Sequence, residues 1–372
     1  MIPVNEPLLN GNEKKYLMEC VDTGWISSEG PFIKKFEDEF SKMLHRKFGI
    51  AVCNGTAALE IAVAAIGIEK GDEVIMPAFT IISCAAAIVR SGGIPVLVDS
   101  DLESWNMDVT TIESRITSKT KVIMVVHIYG LPVDMDPVLE LAKKYNLKII
   151  EDAAQAHGQT YKGKKCGSFG DISIFSFYPN KLITTGEGGM ILTDDETVAE
   201  KCKSLRNLCF IPEKRFVHEE LGWNMRMTNL QAALGLAQLE RWDERIKLKR
   251  KMGKLYTQLL RNNTDIILPL EKTSYSENIY WVFGIMLKNN SSTTSEKITK
   301  KLLEQGIGTR PFFYPIHQQP VFKKMGLFKG ETYPNSEKMY EKGFYIPSGL
   351  GLTENQMHEV AENLNNISSN LN

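Results

Sequence analysis

The sequence predicts an α/β fold, with a large, mainly parallel sheet covered on both faces and a smaller α+β unit after it. Three observations lead there. From Phe48 onward, apolar runs at 48–52, 73–76, 94–98, 121–126, 147–151 and 172–177 alternate with helical stretches at 56–67, 80–91, 109–115 and 136–145. Strands alternating with helices imply parallel strands joined by crossovers. The first run feeds a tight turn, Cys53-Asn54-Gly55, and then an alanine-rich helix. Free N–H groups and the helix dipole at such a start favour a phosphate. Finally, the pattern changes past residue 263, and 372 residues is long for one domain. The expected division is 13–250 for a large α/β domain and 251–372 for a small one, with residues 1–12 packing on the latter.

Composition narrows the class. A net charge of −1 argues against a nucleic-acid-binding surface and against a disordered acidic chain. The cysteines, at positions 20, 53, 84, 166, 202 and 209, form no Cys-x-x-Cys pair, and the histidines show no ligand spacing, so no metal site is expected. The start, Met1-Ile2-Pro3-Val4-Asn5-Glu6, has neither the basic segment nor the apolar core of a signal peptide. The most apolar long stretch, Ile75 to Val89, is interrupted by Pro77 and polar residues, so no membrane span is expected. Scattered cysteines fit a reducing compartment, and the expected location is the cytoplasm.

Taken in order, residues 2–12 read as extended. Asn12 to Val21 reads as a helix with Leu17 and Val21 inward, and Trp25 to Pro31 as a loop. Phe32, Phe36, Phe40 and Leu44 fall at helical spacing on one face. Thr193 or Asp194 is the expected cap of a helix that follows. Residues 206–224 lack periodicity, and a loop this long is usually functional or at an interface. Asn229 to Leu260 is one long helical pattern with a break near Asp243; Leu230, Ala233, Leu234 and Ala237 make its core face. Beyond it, Ile279–Met286 and Gly308–Tyr314 read as strands, Ser295–Glu304 and Glu354–Ile367 as helices, Asn289–Ser295 as a polar turn and Ser368–Asn372 as a frayed end.

The chemistry centres on Phe175-Ser176-Phe177-Tyr178-Pro179-Asn180-Lys181-Leu182-Ile183-Thr184-Thr185-Gly186-Glu187-Gly188-Gly189-Met190. One lysine, Lys181, is held between an apolar strand and a glycine turn that starts the next strand. Loss of hydration disfavours its ammonium, lowers its pKa and frees a neutral amine for Schiff-base chemistry. Upstream, Asp152 ends the strand Leu147 to Glu151, where α/β sheets bind ligands. His127 holds a similar strand-end place but reads as a satisfied structural residue.

A phosphate cradle, a strand-end carboxylate and a buried lysine, in that order, resemble the fold-type-I (aspartate aminotransferase-like) pyridoxal-phosphate (PLP) transferases. The motifs are closer still to the StrS-type (DegT family) nucleotide-sugar aminotransferases. They are Gly24-Trp25-Ile26-Ser27-Ser28-Glu29-Gly30, Asn54-Gly55-Thr56-Ala57-Ala58-Leu59, Gly71-Asp72-Glu73-Val74-Ile75-Met76-Pro77, Glu151-Asp152-Ala153-Ala154-Gln155, the Lys181 stretch, Trp223-Asn224-Met225-Arg226-Met227-Thr228-Asn229, and Thr309-Arg310-Pro311-Phe312-Phe313-Tyr314-Pro315-Ile316-His317. The resemblance covers nearly the whole chain.

It implies pyridoxal 5'-phosphate as cofactor, Lys181 as the residue that carries it and moves protons, and Asp152 as the carboxylate that keeps the ring nitrogen protonated. It also implies Gln155 near the ring's 3-oxygen, with Ser176 and the amides of Gly55, Thr56 and Ala57 on the phosphate. Asn224 would come from the neighbouring subunit of a homodimer with shared active sites. Trp25, Tyr314 and His317 are candidates for the sugar-nucleotide side.

The implied substrate is a nucleotide-linked 4-keto-6-deoxy sugar, GDP-4-keto-6-deoxymannose first, aminated at C4 with glutamate as donor, for surface polysaccharide synthesis. UDP- or TDP-sugars and C3 amination are the alternatives. Lys181 argues against the dehydratase branch, where histidine replaces it. Lys181, Asp152 and Gln155 together argue against a non-catalytic regulator. One position departs from many relatives, which carry an aromatic residue on the ring where this chain has Ile81; either Ile81 packs there or Phe79 compensates.

Overall fold

The computed structural model describes residues 1–211, 213–214, 216–288 and 294–369. Two helices, α1 (Glu13–Thr23) and α2 (Pro31–Met43), lead into strand β1 (Phe48–Val52). Then follow α3 (Gly55–Ala65), β2 (Glu73–Pro77), α4 (Ile82–Arg90), β3 (Ile94–Val98), β4 (Thr120–Val126), α5 (Met135–Tyr145) and β5 (Lys148–Asp152). A short hairpin, β6 (Thr160–Tyr161) and β7 (Lys164–Lys165), precedes β8 (Ile172–Ser176), β9 (Gly189–Thr193) and α6 (Glu196–Arg206). The large sheet has the order β1-β9-β8-β5-β4-β2-β3. The pairs from β8 to β3 are parallel, and β9 runs antiparallel to both its neighbours.

Alternation along the strands decides what faces what. On β8, Ile172 and Ile174 join the core under α3, while Phe175 and the following Phe177 turn to the opposite face. There α2 lays its phenylalanine stripe. Phe32, Phe36, Phe40 and Leu44 are all buried, as their spacing requires. The Phe40 ring meets Phe175, Phe177 and Trp242 edge-on, at centroid distances of 5.0, 5.3 and 6.1 Å.

After β9 come α7 (Asn229–Leu239) and α8 (Trp242–Leu260), separated by 240–241, two residues before Asp243. Ala233 and Ala237 are buried; Leu230 and Leu234 are half-buried. A four-stranded antiparallel sheet follows, in the order β10 (Ile266–Ile267), β11 (Phe283–Leu287), β13 (Gly343–Ile346), β12 (Arg310–Pro311). Its helices are α9 (Ser295–Glu304), α10 (Pro320–Lys324), α11 (Pro334–Lys342) and α12 (Glu354–Ser369). Ile2 forms a parallel bridge with Ile307, so the amino-terminal segment lies on this sheet's side. Among the described residues, no helix is long and apolar enough to cross a membrane.

Several local expectations are corrected. Val21 is 58% exposed; the buried face of α1 is instead set by Cys20 and by Glu13, which pairs with Arg245 and accepts from Gln238. Residues 109–115 form two 3-10 turns, because Asp108 accepts from the Thr110 amide and the run is β-branched. The cap of α6 is Asp195, which accepts from Thr197 and Val198, because Thr193 is still in the strand and Asp194 is drawn to Arg46 and Lys47.

The strand expected from Ile279 starts only at Phe283, after Tyr280 takes φ +53°. The one expected over Gly308–Tyr314 shrinks to two residues; Pro311 and Pro315 lack the N–H a longer ladder needs. Helix α12 runs on to Ser369, with Ser368 buried; 370–372 lie outside the described residues. So do 289–293 of the expected polar turn, whose last residue, Ser295, already belongs to α9.

Phe40→Ala removes the ring on which α2, β8 and α8 converge. It is expected to cost roughly 3–5 kcal/mol, measured by denaturant unfolding of the two proteins side by side.

Candidate active site

A cavity of about 740 Å³ opens where the carboxyl ends of β1, β5 and β8 meet the start of α3. Parity along the strands brings its polar groups together. Asp152 and Ser176 project to the α3 side, whereas their neighbours Glu151 and Phe175 project away. Gly55, Thr56, Ala57, Asp152, Gln155, Ser176 and Lys181 all line it.

Lys181 sits in the loop between β8 and β9, its amide donating to the Tyr178 carbonyl at 2.9 Å. The residue as a whole is half-buried, yet its Nζ lies 3.8 Å from the centroid of the Trp281 ring. Loss of water lowers its pKa to about 7, against the opposing pull of Asp152.

Asp152 is 2% exposed. Burial pushes its carboxyl up; the Ala154 amide, the Cys84 thiol and the Lys181 charge act the other way. The amide donates at 3.0 Å and the thiol at 3.4 Å. Burial and the Asp152 charge raise the Cys84 thiol, so it stays protonated and can donate. A buried carboxylate can accept more than these two bonds offer, so Asp152 suits a cationic N–H arriving from the cavity.

At the other end, Asn54 caps α3 and accepts from the Ala57 amide at 2.8 Å. That corrects the expected role of Ala57, whose N–H is already committed. The amides of Gly55 and Thr56 precede the first intrahelical bonds and face an anion freely. A Cβ on Gly55 would fall 2.8 Å from the Ser176 Cβ, so only glycine lets the helix start come this close to that hydroxyl. The Thr56 hydroxyl is 2.9 Å from Ser83, extending the row of hydroxyls. Gln155 accepts from the Tyr129 amide at 2.9 Å through Oε1, which leaves Nε2 as the donor on the cavity wall.

Other candidates lie elsewhere. His317 is buried, but its Nε2 is bound to Glu337 at 2.7 Å and its ring packs against Tyr333. Tyr314 packs edge-on against Tyr340. Trp25 is 49% exposed, and its carbonyl accepts from Asn229. Asn224 is exposed and pairs with Asn207 through the backbone. None of the four lines the cavity. Ile81 does, whereas Phe79 is fully buried among Tyr129, Phe312 and Phe313. Sequence reasoning missed Cys84, Trp281, Phe313 and Tyr345. Their types are ordinary core types, and only the meeting of distant segments gives them a place here.

The sequence profile of the DegT/DnrJ/EryC1/StrS aminotransferase family matches residues 7–365. This chain belongs to that family. Among its similar relatives are the GDP-perosamine synthase of Escherichia coli O157:H7, 42% identical over 369 residues and 99% of each chain, and that of Caulobacter vibrioides, 42% identical over 366 residues and 98% of each chain. A similar solved structure is that of a Streptococcus pneumoniae protein in its PLP form, with a TM-score of 0.92 and 25% identity, covering 100% of this chain and 99% of that one. The architecture is thus that of the fold-type-I aminotransferases.

Within this member of the family, His127, Glu151 and Cys166 come close enough to hold an ion. Both ring nitrogens of His127 are committed, however. Nδ1 accepts from the Val133 amide at 3.1 Å and Nε2 meets Glu151 at 3.0 Å. His127 is therefore the satisfied structural residue its position suggests.

Because its pKa is lowered, Lys181 is neutral above about pH 7, where an ordinary lysine is charged. In cofactor-free protein, acylation of Lys181 followed by mass spectrometry is expected to rise through a midpoint near pH 7. A midpoint near the pH at which a solvated lysine titrates would contradict a desolvated amine.

Proposed function

We propose that this protein aminates C4 of GDP-4-keto-6-deoxymannose, giving GDP-perosamine, with pyridoxal phosphate as cofactor and glutamate as amino donor. The observation that carries the chemistry is the meeting, in one cavity, of a desolvated lysine, an under-satisfied buried carboxylate and the start of α3. The substrate reading is supported by identity above 40% over nearly the full length to two GDP-perosamine synthases. The PLP form of the Streptococcus pneumoniae relative supports the cofactor.

The residues present fit that cofactor. Gly55 and Thr56 amides with the Ser176 hydroxyl would hold its phosphate, and Asp152 its protonated ring nitrogen. Gln155 Nε2 would donate to the 3-oxygen, and Ile81 would supply an apolar wall. When bound, pyridoxal phosphate supplies an aldehyde that carries the amino group and a ring that accepts carbanion charge. Lys181 Nζ, neutral near pH 7, takes the proton from the donor's Cα and later delivers one to C4 of the sugar. Asp152 keeps its negative charge beside the ring nitrogen and so favours the cationic ring.

The working unit in this reading is a cytoplasmic homodimer in which Asn224 completes the neighbour's site. Support comes from the apolar side chains exposed around it: Leu221 at 94%, Phe216 at 75% and Trp223 at 37%. Such groups gain by burial against a second copy.

The deciding experiment incubates the purified protein with pyridoxal phosphate, glutamate and, separately, the GDP-, UDP- and TDP-linked 4-keto-6-deoxy sugars, with products read by mass spectrometry. Amination of the GDP sugar alone is expected. Product only from a UDP or TDP sugar would keep the mechanism and refute the substrate. Lys181→Ala is expected to fold normally and to lose amination by roughly a hundredfold or more; near-normal turnover would remove the lysine from the mechanism.

A further inference from the structure

Trp281 is a part of the cavity wall that none of these roles uses. It lies just before β11 and is 6% exposed. Three contacts converge on it. Its ring covers the Lys181 amine, with Nζ 3.8 Å from the centroid. Its Nε1 donates to the carbonyl of Asn180, the residue before the lysine, at 2.7 Å. Its own carbonyl accepts from Lys249 Nζ at 2.8 Å. Lys249 is itself buried and also donates to the Ser348 carbonyl, so α8 braces the segment that carries the indole.

We propose that Trp281 is the positioning residue for Lys181: its ring keeps water from the amine, and its Nε1 pins the peptide from which the side chain departs. Two effects of the ring oppose each other. The π face attracts an ammonium, whereas exclusion of water favours the neutral amine. Desolvation of a buried group is the larger effect, consistent with the lowered pKa of Lys181. Titratable groups surround the amine on several elements. On the cavity side these are Asp152, Glu187 and, on α3, Glu60; behind lie His157, Glu6, Arg245 and Lys249. Asp152 alone among them opposes the fall, so removing the ring admits water without removing the carboxylate's pull. With Asp152 still in place, the gain of hydration outweighs the lost π attraction and moves the amine towards an ordinary lysine.

This inference rests on Lys181 being the reactive amine, but its test reads ionisation in cofactor-free protein, so its failure is distinct from a failure of amination. Full-length wild type, Trp281→Ala and Trp281→Phe are acylated across pH 6 to 10 and Lys181 labelling is followed by mass spectrometry. Trp281→Ala is expected to move the midpoint upward and to slow labelling at pH 7.5 by about fivefold. An unchanged midpoint would overturn the shielding role. Trp281→Gln, which fills more of the space than alanine and is polar, replaces the alanine variant if circular dichroism shows that variant unfolded, with the same expected shift.

Trp281→Phe keeps a ring and loses the N–H. Its midpoint is expected to stay near that of wild type, while kcat for amination falls at least about threefold with KM unchanged. Wild-type kcat in Trp281→Phe would overturn the pinning role.

Discussion

The structure around the cavity depends on one buried carboxylate that never touches it. Glu151 accepts from His127 Nε2, from the amides of Gly167, Phe169 and Gly170, and from the Ser173 hydroxyl. Burial alone would raise its pKa, but these bonds hold it at about 2. One side chain thereby ties the ends of β4 and β5 to the loop before β8. Because successive residues of a strand point to opposite faces, anchoring Glu151 on one face fixes Asp152 on the other. The two neighbours, alike in charge, have opposite fates: one is saturated with donors, the other is kept short of them.

That contrast runs through the whole site. Burial displaces the pKa of both Lys181 and Asp152, and each unit of pKa displacement has its counterpart in folding free energy. The aromatic packing of α2 on β8 and the saturated Glu151 network offset this cost elsewhere. The region is stable because its neighbours are satisfied, and reactive because Lys181 and Asp152 are not.

Much of this was legible from the residues. The strand and helix alternation from Phe48 to Phe177 reads directly as the large sheet, since apolar periodicity is local. Lys181, Asp152, Gln155, Ser176 and the Gly55 turn could be found because their motifs lie at strand ends and helix starts. The carboxyl-terminal strands were harder to place, because a left-handed Tyr280 and two prolines interrupt runs that look continuous. The role of Ala57 turned on a single cap from Asn54, which no spacing reveals. Tyr314 and His317 are aromatic and polar in the expected way, but Tyr340 and Glu337, at least twenty residues away in each case, take them up. Trp281 could not be read in advance, since its place is set by a loop a hundred positions earlier.

The wall formed by Trp281, Phe313 and Tyr345 is drawn from the last quarter of the chain. Ribosomes make a chain from the amino end, so the lysine, the aspartate and the glycine turn all emerge before any of that wall exists. Until the final strands pair, the amine lacks the ring that covers it in the folded protein. Its reactivity is therefore acquired only at the close of synthesis, which spares the growing chain a nucleophile exposed to every passing aldehyde.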